Sequence, residues 1–102
     1  MPLSIRWEDE QGEVLEELLP DRGASLNAVV AKPPDNSVCL RFIDPYGDTV
    51  FNRIQLPVLI SELQRARQDL PGGASPTHID SVLALVRKAE DEVHTYVRFL
   101  GD

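Results

Sequence analysis

Val38-Cys39-Leu40-Arg41-Phe42-Ile43-Asp44-Pro45-Tyr46-Gly47-Asp48-Thr49-Val50-Phe51-Asn52-Arg53-Ile54-Gln55 sets the expected fold class of this 102-residue chain. Two runs rich in β-branched and aromatic residues flank Asp44–Gly47. There Pro45 suits position i+1 of a type I turn and Gly47 the left-handed residue after it. The stretch reads as a bulged β-hairpin. With Asp44 opposite Asp48, Val38, Leu40, Phe42, Val50 and Ile54 share one face, which is expected to be core. Cys39, Arg41, Ile43, Thr49, Phe51 and Arg53 share the other, half wet or covered by something acidic.

Upstream, Leu3, Ile5 and Trp7 alternate with Ser4, Arg6 and Glu8, the period of a strand with one buried face. Asp9-Glu10-Gln11-Gly12 then supplies turn chemistry, making Glu13–Leu19 a second strand. Val14, Leu15, Leu18 and Leu19 also fit one side of a helix, but Gly12 and the preceding strand favour the hairpin. Residues 20–36, with Pro20, Gly23, Pro33 and Pro34 around an apolar stretch at Leu26–Ala31, read as a connection holding a single turn or short strand.

Downstream, Leu59, Ile60, Leu63, Ala66 and Leu70 recur at three and four residues after Pro57, opposite Glu62, Gln64, Arg65 and Gln68. That is an amphipathic helix stopped by Pro71-Gly72-Gly73. Ser75 as N-cap and Pro76 at the first position open a second helix carrying Ile79, Val82, Leu83, Val86 and Ala89. The helical spacing extends to Val93 and Val97. Yet Val93–Leu100 alternates and is β-rich, and Glu90-Asp91-Glu92 suits a helix end only beside a basic partner, so a terminal strand is expected. The expectation is one α+β domain over residues 1–102. Its order is β-β-connection-β-β-α-α-β, an antiparallel sheet of about five strands with two helices packed on one face.

Hydrophobic content of 42% and charged content of 26% are ordinary for a globular domain, and the longest apolar runs are too short to cross a membrane. The N-terminus lacks a basic segment followed by an apolar one, and the single cysteine excludes an internal disulfide, so a reducing, cytoplasmic setting is expected. The net charge of −7, with no Lys/Arg cluster, disfavours nucleic acid. The acidity is local. Glu8, Asp9, Glu10, Glu13, Glu16, Glu17 and Asp21 face only Arg6 within the first 21 residues.

Catalysis needs a nucleophile, an activating base and a group that orients the base. Cys39 qualifies as nucleophile only if Arg41 or Arg53 depresses its pKa, and Arg53 is its neighbour in the expected register. His78 lies in a first helical turn, and Asp80, two positions on, diverges from it too far to form a dyad. His94 shares an expected strand face with Tyr96 and Arg98. Asp44 and Asp48 are explained by the turn they flank, since a calcium loop needs more oxygen ligands. No phosphate-cradling or metal-binding motif occurs, so no cofactor, metal or catalytic residue is assigned.

These features favour a non-enzymatic protein-binding module, immunity- or antitoxin-like or a regulatory adaptor. Its acidic residues Glu8, Asp9, Glu10, Glu13, Glu16 and Glu17, with Tyr46 as aromatic anchor, would recognise a basic protein. Two alternatives stand beside it: a small enzyme or enzyme subunit using Cys39, His78 or His94, and a structural domain pairing sheet edges into a homodimer.

Overall fold

Alternation at Leu3, Ile5 and Trp7 does yield a strand, β1 (Ser4–Asp9), in the computed structural model, which describes residues 3–20, 25–70 and 76–101. The turn after it closes on Gly12, whose φ of 83° is open to glycine at no steric cost, and β2 (Val14–Leu18) pairs back antiparallel. Helix α1 (Ser25–Ala31) follows, then β3 (Asp48–Phe51), α2 (Leu56–Gln68), α3 (Thr77–Glu90) and β4 (Thr95–Leu100). The four strands of the described residues form one antiparallel sheet in the order β2-β1-β4-β3.

Ile5 and Phe99 are register partners with 0% exposure, and Phe51 meets Phe99 edge-on with ring centroids 5.7 Å apart. A pair of that geometry contributes about 0.5–1.5 kcal/mol beyond the burial of its area. Against this face lies α3, which touches β1, β2 and β4, while α1 and α2 pack on α3. Of the expected helical positions, Leu59, Leu63 and Ala66 of α2 and Ile79, Val82, Leu83, Val86 and Ala89 of α3 are buried, Ile60 and Leu70 are partly buried against the core, and Leu56, before Pro57, is buried as well. All join one core cluster, to which Trp7 and Leu18 add from the sheet. Pro76 precedes α3 as its cap, and the N-cap expected at Ser75 lies outside the described residues.

The α+β class holds, with four strands and three helices among the described residues in place of about five strands and two helices. Connection 20–36 contains α1, a two-turn helix that buries Leu26, Val29 and Val30. The larger correction concerns residues 38–54. Residues 38–43 form no strand; Leu40–Phe42 is a 3₁₀ turn, and β3 pairs with β4 instead. The expected core face is accordingly wrong. Leu40 is buried, but Val38, Phe42, Val50 and Ile54 are exposed, while Cys39, Ile43 and Phe51 are buried.

The cause is a side chain from α2. Glu62 accepts the amides of Val38 at 2.7 Å, Cys39 at 3.0 Å and Leu40 at 2.9 Å, so these donors have no need of a β-ladder. The turn at Asp44–Gly47 does form, with Gly47 N–H donating to Asp44 O at 3.4 Å. Gly47 is not left-handed, however. A Cβ there would lie 2.8 Å from Asp44 Oδ2, on the carboxylate whose Oδ1 accepts the Tyr46 N–H.

Candidate functional site

Asp9 builds the tip of the first hairpin. Its Oδ1 accepts the N–H groups of Gln11 and Glu13, each at 2.9 Å, while Gly12 N–H reaches Asp9 O at 3.0 Å. This Asx-type turn holds Glu10 and Glu13 out into solvent. In the sheet Asp9 is the register partner of Thr95, so the hairpin tip lies beside the turn that joins α3 to β4. That turn carries Asp91, Glu92, Val93 and His94, all exposed, directly after Glu90. His94 adopts φ 60°, and its Nδ1 stands 3.5 Å from Glu10 Oε2.

One end of the molecule therefore gathers Asp9, Glu10 and Glu13 from one turn and Glu90, Asp91 and Glu92 from another. The second triplet follows the C-terminus of a helix, where the macrodipole favours cations. Arg87 and Lys88 in the last turn of α3 and Arg53, whose Nε donates to Glu90 O at 3.3 Å, supply the basic partner such an end requires. Exposed Val14, Leu15 and Val93 stand among these charges. Next to them a shallow hollow of about 440 Å³ opens on the helix-free face of the sheet, lined by Glu8, Asp9, Glu10, Val50, Tyr96 and Arg98.

Glu8, Glu16 and Glu17 of the N-terminal segment are each held in an ion pair. Glu8 is buried at 6% exposure and accepts from Arg98 Nε at 3.1 Å; Arg98 also reaches Asp48 Oδ2 at 3.2 Å. Glu17 pairs with Arg6 at 2.6 Å and Glu16 with Lys88 Nζ at 2.8 Å. The guanidinium pKa values of Arg6 and Arg98 are raised by the hydrogen bonds they donate to Glu17 and Glu8 respectively. Glu13 has no ion-pair partner among the described residues, and Asp21 lies outside them. Tyr46 is exposed at 71%, but it adjoins β3, the edge opposite β2, at the end of the sheet where Asp48 meets Leu100. The structure thus keeps Glu10 and Glu13 together, adds Glu90–Glu92, and places Tyr46 elsewhere.

The catalytic candidates do not converge. His78 and His94 flank opposite ends of α3, about 20 Å apart along its axis. Cys39 is buried, and burial pushes its thiol pKa up, with Glu62 adding to the rise; its Sγ lies 3.8 Å from Gln55 O. Arg53, expected beside it, is at the α3 end instead. His94 precedes β4 and does not lie within it, so only Tyr96 and Arg98 share the strand face. Among the described residues no three His, Cys, Asp or Glu side chains are grouped as a metal site requires, and no helix is long and apolar enough to cross a membrane. Comparison with protein families, characterised proteins and solved structures found no match to this chain.

What sequence reading missed is the contribution of Glu90-Asp91-Glu92. The run is plain in the sequence, and so is the strand after it. The missing step was the antiparallel pairing of β1 with β4, which brings residue 9 beside residue 95.

Proposed function

We propose that this chain is a non-enzymatic protein-binding module that docks a basic protein on its acidic end, as an immunity- or antitoxin-like protein or a regulatory adaptor does. The observation that carries the reading is the meeting of two acidic turns, Asp9–Glu13 and Glu90–Glu92, around exposed Val14, Leu15 and Val93. Glu10, Glu13, Asp91 and Glu92 are all exposed there, so the charge of this end is presented to solvent. The field of such an end speeds the approach of a cationic partner, while the apolar side chains supply area for a dry contact. Tyr96, which lines the adjoining hollow, is better placed than Tyr46 to serve as the aromatic anchor.

The test compares the native chain with a variant carrying Glu10→Lys, Glu13→Lys, Asp91→Lys and Glu92→Lys, each immobilised and eluted in steps of salt. A basic protein held by the native chain and released as salt rises, absent from the variant at an unchanged Tm, supports docking. Equal capture by the variant removes the acidic end from the interaction.

A further inference from the structure

Val58, Ser61, Glu62 and Arg65 follow one another at helical spacing along one face of α2, and Pro34, Asn36 and Ser37 stand across from them. Between the two sides is a cleft of about 360 Å³, within the size range of small-ligand sites. Glu62 and Arg65 are three apart and would ordinarily pair. Here both oxygens of Glu62 are committed to the amides of Val38, Cys39 and Leu40, and Arg65 has no ion-pair partner among the described residues. The cleft therefore offers an uncommitted guanidinium beside a carboxylate whose charge is already met by three donors.

Ser37 supplies the second observation. The residue is 2% exposed, and its Oγ is buried without a hydrogen-bond partner. Buried hydroxyls are rarely left so, because an unpaired polar group has lost its hydration without gaining a partner. Ser37 forms part of the cleft wall, so this unpartnered donor lies beside the space a ligand would fill.

We infer that this cleft binds a compact oxyanion, a carboxylate or phosphate group, through Arg65 and the hydroxyl of Ser37. The site shares no residue with the acidic end, so it stands whether or not that end docks a protein. Arg65 presents a planar fork that matches two oxygens of either group, and Ser61, one turn earlier on the same face, adds a hydroxyl.

The experiment is a titration of the isotope-labelled full chain with sodium acetate and with inorganic phosphate at constant ionic strength, read by amide chemical shifts, with sodium chloride as reference. Saturable shifts confined to residues 34–37 and 58–65 are expected, and the better-bound anion tells carboxylate from phosphate. Arg65→Gln should weaken binding by roughly tenfold, the loss of one charge-assisted contact. Ser37→Ala should weaken it severalfold while leaving Tm unchanged or higher, since no partner is lost. Shifts that rise without saturation as they do with chloride, or equal affinity in Arg65→Gln, overturn the inference.

Discussion

Glu62 Oε1 accepts the backbone N–H of Leu40 at 2.9 Å, and by that bond a helix dictates the path of a segment 22 residues earlier in the chain. The same carboxylate holds Cys39 and Val38. Residues 38–43 alternate as a strand would, but their first three donors are satisfied by one side chain, and the chain curls into a 3₁₀ turn that buries Leu40 and Ile43.

Glu62→Ala should therefore cost about 2–3 kcal/mol, because part-buried amides lose a charged acceptor. For a domain of this size that is a fall in Tm of roughly 10–20 °C. Glu62→Gln, with one acceptor oxygen, should fall between. Thermal unfolding followed by circular dichroism decides it, and a drop below about 2 °C in the alanine variant would show that the latch does not hold the segment.

Arg98 bridges buried Glu8 and exposed Asp48 on the helix-free face. Removing it alone strands the Glu8 carboxylate, and Arg98→Ala is expected to lose about 2–4 kcal/mol. Glu8→Met with Arg98→Leu should recover part of that loss. A double-mutant cycle in urea reads the coupling directly, and strictly additive costs would mean that the pair is not coupled.

Arg67 of α2 and Asp80 of α3 clamp the two helices together. The hydrogen bond from Arg67 lowers the Asp80 pKa against an opposing desolvation, and the attraction of Arg67 and Arg87 adds to the lowering. A carboxylate with a depressed folded pKa binds protons less readily than the unfolded chain does. Its contribution is present above the ordinary Asp value of about 3.9 and is lost as pH falls through the lower folded value. The stability difference between native chain and Asp80→Asn should accordingly shrink from about pH 5 toward pH 2. A difference independent of pH across that range would exclude the linkage.

Cys39 should resist alkylation. Burial and the nearby Glu62 charge both disfavour its thiolate. Iodoacetamide at mildly alkaline pH is expected to modify the folded chain far more slowly than the chain in denaturant. Comparable rates would reopen the case for a reactive cysteine.

The legible parts of this fold were those where local pattern and tertiary demand agree. Leu56–Ala66 and Ile79–Ala89 repeat at helical spacing and are buried on that spacing, and Gly12 marks a hairpin that does turn there. Residues 38–43 were misread because strand alternation and a capped 3₁₀ turn place apolar residues alike, and the deciding carboxylate lies in another helix. Helix α1 escaped notice for a different reason: seven residues are too few to sustain a helix without packing, so its existence depends on burying Leu26, Val29 and Val30. Of the candidate site, the charge of the first hairpin was readable, but its internal neutralisation at Glu8, Glu16 and Glu17 by Arg98, Lys88 and Arg6 depends on sheet register and helix packing.

The two central strands of the sheet are its first and last, with Ser4 opposite Leu100. Thr95–Leu100 is thus the keystone of the sheet: until it has been made, β3 has no strand to pair with and β1 lacks a partner on the side away from β2. A chain stopped after α3 would leave the edges of β1 and β3 unpaired and open to pairing with other chains.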